Sequence, residues 1–447
     1  MRFDWEIKRL KEIGEIVTGK TPSGKIENAY GGEILFLTPR DLSNQKITFQ
    51  TERTLSDDGL YDVAKYLLPK NAVSVSCIGS DLGKVTILGK ESVTNQQINS
   101  IIVNDDVNHE YIYYELSLRQ NELKSIAGGS ATPIINKSTF SEIEIKLPPR
   151  NVQDQIVDQL AQLDQKIHLN QQTNETLEAM AQAIFKSWFV DFDPVRVKIA
   201  AKKAGRDPEK AAMAAIAGVS LEQDWDEIES ALQHKLNRMA SDQATQLRHT
   251  ASLFSDEMVE SDLGEVPKGW SDSKLEDYIS LSYGKSLRKS DRKEGTVPVY
   301  GSGGLTGTHN KSLIEGPGII VGRKGTVGSI YWEDRDFWPI DTVFYIEPKK
   351  EADLSFYYYL LNTLGLEEMN TDAAVPGLNR NNAYRLQMPH FPDKLVLKFS
   401  NFTADLHKMM RIKKEEKKSL ERLRDTLLPK LISGELDVKQ NLNLSEV

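Results

Sequence analysis

The feature that most constrains this chain of 447 residues is an internal repeat that covers nearly its whole length. An offset of 265 (270 − 5) relates Trp5, Leu10, Gly19 and Lys20 to Trp270, Leu275, Gly284 and Lys285. A later offset of 243 (379 − 136) relates Pro133, Asn136, Ile156, Leu163, Ile167, Leu177 and Phe185 to Pro376, Asn379, Phe399, Leu406, Met410, Leu420 and Leu428. The second copy is therefore shorter by 22 residues (265 − 243). An ordered series at one offset predicts a structural unit that the chain contains twice.

Each copy begins with a globular part in which short β-branched and aromatic runs alternate with Gly-, Asn- and Pro-rich turns. Runs of this kind predict strands. The predicted strands are Leu35–Leu37, Ala72–Ile78, Val85–Leu88, Ile98–Val103, Gly318–Val321, Ser329–Trp332 and Thr342–Ile346. Pro148-Pro149 and the pair Pro389 and Pro392 are expected to end the two globular parts, since proline commonly stands just before a helix. We therefore predict two similar α+β domains, at residues 1–150 and 266–393.

A long helix is predicted after each domain, at residues 151–193 and, together with a C-terminal tail, within 394–447, because apolar residues recur there at alternating spacings of four and three. The polar residues Asn170 and Asn174 interrupt the first seam, and such residues fix register and partner orientation. We interpret the helices as an antiparallel coiled-coil pair, with the alternative that each lies on its own domain. The candidate spacer and partner-docking residues are Ile156, Leu163, Ile167, Leu177, Trp188, Phe399, Leu406, Leu420 and Leu427.

Further predictions concern the second long helix and the stretch that joins the first long helix to the second domain. The second seam is expected to include Phe402 and Met409, and Pro429 is expected to disturb its helix. The stretch 194–265 has no partner in the repeat, and helices are predicted over 207–217 and 221–248. An apolar stripe from Leu221 to Met239 indicates that the latter helix packs locally. The sequence assigns no role to this helical linker.

Composition excludes several classes of protein. No run of 18 apolar residues occurs, so no segment is expected to span a bilayer. The charged N-terminus lacks the apolar stretch of a signal peptide. The single cysteine, Cys77, excludes an intrachain disulfide framework and a multi-thiolate zinc site. We expect a soluble, cytoplasmic protein with no membrane partner.

No catalytic constellation is predicted. Gly14 to Thr21 satisfies the letters of a P-loop, but a charged segment precedes it and Pro22 follows, where the phosphate-binding helix should begin. The better interpretation is a turn at a strand end that presents Lys20. Asp193-Pro194 lacks the second proline and the aromatic residue of an adenine methyltransferase loop. The histidines are scattered and no carboxylate cluster has metal-binding spacing, so we predict neither catalytic residues nor metal ligands.

Basic and amide residues in turns are the candidates for DNA contact. The chain has 56 Lys and Arg against 65 Asp and Glu, a formal net charge of −9, so any DNA-binding role must come from local basic loops. Lys and Arg neutralise phosphates, while Arg, Asn and Gln read base edges. The candidates are Lys20, Lys84, Asn95, Gln96, Gln97, Lys137, Lys285, Arg288, Lys289, Arg323, Lys324, Asn379 and Arg380.

The whole chain resembles the specificity subunit of type I restriction-modification enzymes. The resemblance lies in the repeat itself and in five segments: GEIVTGKTPS (14–23), KSWFVDFDPV (186–195), SLF (252–254), LGEVPKGW (263–270) and LLPKLISGEL (427–436). The stretch 194–265 is longer than the short linker that the family leads us to expect.

The resemblance implies that each α+β domain is a target recognition domain that reads half of a bipartite duplex DNA sequence. It implies that the two helices set the gap between the half-sites and dock two methylation subunits. Those subunits carry S-adenosylmethionine, and two restriction subunits use ATP and Mg²⁺. This chain would carry no cofactor and no catalytic residue. Two alternatives stay open: a self-contained DNA methyltransferase or P-loop NTPase, and a coiled-coil scaffold between protein partners.

Overall fold

The computed structural model describes residues 5–42, 46–128, 133–350, 352–369 and 377–436, so the repeat anchor Pro376 lies outside the described residues. The chain forms two compact units, residues 1–169 with 416–447 (unit 1) and residues 170–415 (unit 2). Each unit contains one globule and parts of the same two long helices. We call the globular parts globule 1 (residues 1–150) and globule 2 (residues 266–393).

Globule 1 is built on a five-stranded sheet with a smaller three-stranded sheet and a strand pair beside it. Its described elements are β1 (Glu6–Arg9), α1 (Leu10–Ile13), β2 (Gly14–Thr18), β3 (Tyr30–Leu37), β4 (Ile47–Thr48), β5 (Arg53–Leu55), α2 (Asp57–Val63), β6 (Val73–Ser76), β7 (Val85–Leu88), β8 (Ser92–Thr94), β9 (Ile98–Val103), α3 (His109–Ser117), α4 (Gln120–Ile126), α5 (Lys137–Ser141) and β10 (Glu144–Leu147). The main sheet has the order β2-β9-β6-β7-β4, the smaller one β5-β3-β8, and β1 pairs with β10.

The long helices and the linker follow. These elements are α6 (Arg150–Phe189), α7 (Asp193–Lys203), α8 (Pro208–Ile216), α9 (Trp225–Leu236), α10 (Ser241–Ala251), β11 (Met258–Ser261), β12 (Gly264–Pro267) and, at the end of the described chain, α13 (Asp393–Ile432). None of the helices in the described part of the chain combines the length and the apolar character that a bilayer crossing requires.

Globule 2 repeats the plan of globule 1. Its elements are β13 (Asp272–Lys274), β14 (Ile279–Tyr283), β15 (Val297–Gly301), β16 (Gly304–His309), β17 (Gly318–Gly322), β18 (Ile330–Glu333), β19 (Trp338–Pro339), β20 (Val343–Pro348), α11 (Leu354–Asn362), α12 (Arg380–Tyr384) and β21 (Gln387–Pro389). The main sheet has the order β14-β20-β17-β18, the smaller one β16-β15-β19, and β13 pairs with β21. Strand for strand, this is the order of globule 1 without β4.

The structure locates the missing residues of the second copy. Between β2 and β6 the chain has 54 residues (19–72), and between β14 and β17 it has 34 (284–317), a difference of 20. The remaining two are lost between α3 and α5, where 19 residues (118–136) correspond to 17 (363–379). The predicted duplication and the predicted α+β class are confirmed.

The long helices α6 and α13 are each 40 residues long and begin at equivalent positions of the repeat (393 − 150 = 243). In unit 1 Asp164 of α6 pairs with Arg424 of α13 at 3.2 Å, and Lys166 pairs with Glu416 at 3.3 Å. In unit 2 the rings of Phe185 and Phe399 lie 5.5 Å apart. Residue numbers rise along one helix as they fall along the other, so the two run antiparallel within each unit.

Two predictions about α13 are wrong. Phe402 and Met409 are 46% and 48% exposed, while Thr403 is fully buried and Met410 packs against the core. The buried stripe therefore turns by one position relative to a strict heptad, as expected when a straight helix drifts from a 3.5-residue repeat. The helix also continues through Pro429 to Ile432. Only one turn remains beyond the proline, and Leu431 and Ile432 are buried in the core of unit 1, which offsets the lost backbone hydrogen bond.

The linker contains two helices where one was predicted over 221–248. Asp224 caps α9 by accepting a hydrogen bond from the backbone of Glu227 at 3.0 Å, and α9 ends at Leu236. The break allows α10 to contribute Leu247 to the same small core as Ile228 of α9. A hydrogen bond also joins α7 to the segment that follows α10. Lys198 of α7 is almost fully buried and donates to the Phe254 carbonyl at 2.9 Å.

The core of unit 2 is a cluster of aromatic rings that includes the C-terminal half of α6. Phe189 contacts Phe356 of α11 at 5.4 Å, Phe391 at 5.3 Å and Phe399 of α13 at 5.5 Å between ring centroids. Its exposed fraction is 3%. Edge-to-face pairs of this kind add to the gain from burial. Phe189 therefore joins both long helices to globule 2.

We predict that Phe189→Ala lowers the free energy of unfolding of unit 2 by about 3–5 kcal/mol, because it opens a cavity among rings that cannot collapse into it. Phe402→Ala is the matched control: the same side chain is removed from a long helix of the same unit at a half-exposed position, and the expected loss is below about 1 kcal/mol. Urea denaturation of the full chain, followed by tryptophan fluorescence, measures both. Equal losses would contradict the assigned core.

Candidate nucleic-acid interface

The candidate DNA-binding residues of globule 2 gather at one edge of its main sheet. Because β20 pairs antiparallel with β14 and β17, the ends of β14 and β17 meet the start of β20 at this edge, with Tyr283 opposite Phe344 and Gly322 opposite Val343. We call it edge 2. Lys285 and the loop that carries Arg288 and Lys289 follow β14, Arg323 and Lys324 follow β17, and Asn379 and Arg380 stand at the start of α12.

Backbone hydrogen bonds hold the loops of edge 2 together. The amide of Lys285 donates to the carbonyl of Pro339 at 2.9 Å, and the amide of Arg323 donates to Thr342 at 2.9 Å. The amide of Leu378 donates to the carbonyl of Arg323 at 2.8 Å. The turns after β14 and β17 and the turn before α12 are thus joined through the residues that precede β20.

The candidates of globule 1 gather at the equivalent edge, which we call edge 1. Here β2 and β6 end while β7 and β9 begin. Lys20 follows β2, Lys84 precedes β7, and Lys137 opens α5. The candidates Asn95, Gln96 and Gln97 form the turn before β9. Thr21 donates to the side-chain oxygen of Gln96 at 2.7 Å, which ties the turn after β2 to the turn before β9.

Close packing at these edges requires the glycine that recurs in the two copies. A Cβ on Gly19 would stand 2.1 Å from the carbonyl oxygen of Thr94, and one on Gly284 would stand 2.1 Å from that of Ile340. Each strand end therefore approaches the neighbouring loop too closely for any other residue. Lys20 is exposed immediately after Gly19, and no helix follows it before β3. The predicted lysine-bearing turn is confirmed, and the segment lacks the helix that a phosphate-binding P-loop requires.

Among the described residues, the cations of edge 2 have no acidic partner. Within the described part of the chain, no carboxylate lies within 4 Å of Lys285, Arg288, Lys289, Arg323, Lys324 or Arg380. At edge 1 the same holds for Lys20 and Lys137, whereas Lys84 is paired with Asp81 at 2.7 Å. Edge 2 is therefore a local excess of positive charge in a chain whose net charge is −9. A basic patch of this kind attracts phosphates.

Two of the recurring asparagines have a structural role. The side-chain oxygen of Asn136 caps α5 by accepting from the amide of Thr139 at 2.9 Å, and that of Asn379 caps α12 by accepting from Asn381 at 2.9 Å. Capping explains why asparagine recurs at this position of the repeat. Asn95 and Gln97 also bind each other, at 3.0 and 3.2 Å. Lys20 and Lys137 are the candidate side chains of edge 1 for which neither a side-chain hydrogen bond nor an ion pair is found within the described residues.

Tyr283, half-exposed at the end of β14, is not among the residues predicted from the sequence. The guanidinium carbons of Arg323 and Arg380 lie 4.8 and 5.0 Å from its ring centroid. With Leu378, Asn379 and Asn381 these three residues line a polar cavity of about 240 Å³. No sequence signal joins positions 283, 323 and 380, because they are brought together by the pairing of β14 and β17 with β20 and by the hydrogen bond from Leu378 to Arg323.

The predicted spacer residues lie along the helix pair. In unit 1 Ile156, Leu163 and Ile167 are buried, and Leu427 packs against the core with partial exposure. In unit 2 Leu177, Trp188, Phe399 and Leu406 are buried. Leu420 is half-buried.

The described residues of the two edges offer neither a metal site nor a reactive thiol. Among the described residues, no group of three or more His, Cys, Asp or Glu side chains is placed to hold a metal ion. Burial raises the pKa of the Cys77 thiol to about 11, although a hydrogen bond from Asn99 opposes the shift. The thiol therefore stays protonated and unreactive at neutral pH.

Known proteins show the same sequence pattern and fold. The family model of the type I restriction modification DNA specificity domain matches residues 3–179 and 267–382. The MjaIX specificity subunit of Methanocaldococcus jannaschii is 35% identical over 43% of this chain, and the match spans 45% of that protein, less than half its length. The HindI specificity subunit of Haemophilus influenzae is 27% identical over 97% of this chain and 100% of its own length. The crystal structure of a type I S subunit from M. genitalium covers 96% of both chains at 18% identity with a TM-score of 0.53, which supports the fold.

The two matched regions make up more than half of the chain, and each contains one of the edges. The chain therefore belongs to the family of type I restriction modification DNA specificity domains. Recognition of DNA sequence within a type I restriction-modification system is its function, and two matched regions fit a target in two parts.

We predict that Lys289→Gln makes the dependence of DNA affinity on salt less steep, by about 0.9 in the slope of log K against log salt, if the lysine neutralises one phosphate. Lys349→Gln is the matched control, because Lys349 follows β20 at the opposite end of the same sheet and donates to the carbonyl of Glu276. Titration of a fluorescent duplex at several salt concentrations measures both slopes. A change at Lys349 alone would exclude edge 2 as the DNA-binding surface.

Proposed function

We propose that edge 1 and edge 2 each read one half of a bipartite duplex target, and that the gap between the halves is set by α6 and α13. The observation that carries the proposal is the equivalence of the two edges. Strands in the same order place different side chains at the same position, mainly amides and single lysines at edge 1 and a cluster of arginines and lysines at edge 2. Equivalent frames with different side chains suit two different half-sites.

The helices have the dimensions that a spacer needs. Forty helical residues at about 1.5 Å each give a rod of about 60 Å. One turn of duplex DNA is about 34–36 Å long, so such a rod is long enough to relate readers on successive major-groove segments. The repeat also suits a duplex, whose backbone geometry is itself twofold.

The proposal extends to partners and cofactors through the family resemblance. The chain acts as a non-catalytic subunit in the cytoplasm and docks two methylation subunits along its helices. S-adenosylmethionine belongs to those subunits, and ATP and Mg²⁺ belong to two restriction subunits. Half-exposed apolar side chains on the long helices, among them Met180 and Met409, support docking there.

The two rival functions have less support. A P-loop NTPase needs a helix after Gly19-Lys20, and that segment continues as a turn. A scaffold between protein partners gives no reason for the cations of edge 2, which have no acidic neighbour among the described residues. Binding of S-adenosylmethionine or ATP by the isolated chain would favour an enzyme. Absence of DNA binding with a steep dependence on salt would favour a scaffold.

We predict that exchange of residues 1–150 for the corresponding domain of a relative changes only one half of the recognised sequence, because globule 1 carries its own sheet and its own edge. The exchanged domain must keep apolar partners for Ile156 and Leu428, which belong to the core of unit 1. Mapping of methylated adenines in host DNA reads both halves at once. A simultaneous change in both halves would contradict independent recognition.

We predict that four residues inserted after Gln172 in α6, together with four after Glu415 in α13, lengthen the gap and leave both half-sites unchanged. The positions are equivalent in the repeat (415 − 172 = 243), and four residues add about 6 Å and about 40° of rotation. Both helices are extended because an insertion in one alone would displace antiparallel contacts such as Phe185 on Phe399.

The control for this experiment is an insertion of four residues in the exposed loop between α8 and α9, which is expected to leave the gap as it was. Selection of bound duplexes from a library with random gap lengths measures both variants. A stable, DNA-binding double insertion with the original gap would show that the helices do not set it.

A further inference from the structure

Arg380 at edge 2 is held in place by aromatic rings and keeps its hydrogen-bond donors. Its guanidinium carbon lies 5.0 Å from the ring centroid of Tyr283 and 5.9 Å from that of Tyr384. Within the described residues its guanidinium donates no hydrogen bond, and its Nε is buried without a partner. Because its donors are not used within the described residues, the guanidinium can offer its Nη donors to a ligand.

The rings that hold Arg380 are themselves fixed. The hydroxyl of Tyr384 accepts a hydrogen bond from the backbone of Leu281 in β14 at 2.8 Å, which anchors this ring to the main sheet. Tyr283 packs against Phe344 of β20 with ring centroids 5.0 Å apart. A guanidinium stacked on fixed rings is a planar fork of donors whose orientation is largely set before any ligand arrives.

A second cation stands at the same ring. Arg323 lies 4.8 Å from the centroid of Tyr283, and its Nη1 donates to the carbonyl of Asp341 at 3.2 Å. Both guanidinium groups therefore lie within about 10 Å of each other, which is about one Debye length at moderate salt. With no described carboxylate beside either of them, their mutual repulsion favours an electron-rich ligand in the cavity between them.

Globule 1 has none of these parts at the equivalent positions. Arg380 corresponds to Lys137 (380 − 243), Tyr283 to Thr18 (283 − 265) and Tyr384 to Ser141 (384 − 243). A contact that only neutralises a phosphate needs a positive charge, and lysine supplies it. A planar fork with a fixed orientation is instead what bidentate recognition of guanine O6 and N7 requires.

We propose that Arg380, oriented by Tyr283 and Tyr384, reads a guanine in the half-site of globule 2, and that Arg323, which lines the same cavity, supports it. The proposal rests on the function proposed above and names one base of the target. It also makes Tyr283 and Tyr384 positioning residues, since they act through Arg380. The equivalent position of globule 1 makes no such contact.

The test is selection of bound duplexes from a library in which both half-sites are random, with the full chain in complex with its methylation subunits. For Arg380→Lys, which keeps the charge and removes the fork, we expect a loss of preference of about 5- to 150-fold at one guanine of the second half-site. Tyr384→Phe keeps the ring but removes the hydroxyl that anchors it, so we expect a smaller loss of guanine preference than for Tyr384→Leu, which removes the ring as well. Arg385→Lys, at the far end of α12, is the matched control and should change nothing.

The first half-site serves as an internal control for folding, because it is read by globule 1 and must stay selected in every variant. A second variant, Arg380→Ala, removes the charge as well. If Arg380→Lys keeps the preference for guanine while Arg380→Ala loses affinity equally for all sequences, Arg380 contacts a phosphate and the proposal is overturned. An unchanged result in both variants would overturn it as well. Absence of any sequence preference in the wild-type complex would instead refute the proposed function, so the two failures are distinguishable.

Discussion

The two long helices complete the core of each unit, and most of the structure depends on this packing. In unit 2, Phe185 and Phe189 of α6 and Phe399 of α13 stand among the rings of globule 2. In unit 1, Ile156 and Leu160 of α6 and Leu428 of α13 belong to the core of globule 1. The helices α3 and α11 cover one face of the two main sheets, and the long helix pair packs on those two helices in turn. Buried side-chain contacts therefore join each globule to the helices, in addition to the covalent link of the chain.

The repeat extends to the hydroxyl groups that tie each globule to the helices. Tyr114 of α3 donates to Asp164 of α6 at 2.5 Å, and Tyr359 of α11 lies 3.1 Å from Nε2 of His407 in α13. These pairs are equivalent, because 359 − 114 is 245, the offset between α3 and α11, and 407 − 164 is 243. Burial, with help from Asp164, raises the pKa of Tyr114, so the phenol stays a donor at any physiological pH. Burial likewise lowers the pKa of His407, which favours a neutral ring beside Tyr359.

Much of this architecture could be predicted from the sequence, since it follows from spacing. The offset between copies, the strands and the positions of the long helices all depend on residue types at regular intervals. The exposure of Phe402 could not be predicted, because a small drift of the helix relative to the heptad decides which of two adjacent positions faces the core. The break after Leu236 depends on Leu247 packing against Ile228, and such a tertiary contact has no local signature.

The candidate interface, too, could be predicted from the sequence only in part. Lys285, Arg323 and Arg380 were predicted one by one from their residue types and turns, and the structure brings them to one sheet edge. Tyr283 was missed because a tyrosine before a Gly-Lys turn is an ordinary strand residue until three distant segments meet around it. Similarly, the recurring Asn379 suggested base contact, and its hydrogen bonds explain the recurrence by helix capping. Whether these residues contact DNA stays a prediction.

The placement of the edges explains how such a frame accommodates different targets. The glycines at 19 and 284 fix the backbone where a strand end meets a loop, with no room for a side chain. The residues that follow them, Lys20 and Lys285, are exposed and outside the cores. Substitutions at exposed positions of this kind usually change the free energy of folding by less than about 0.5 kcal/mol. Affinity for a base, by contrast, depends on about 1–3 kcal/mol from a single well-oriented side chain. Specificity is therefore free to differ between the two copies while the buried packing on the helix pair stays the same.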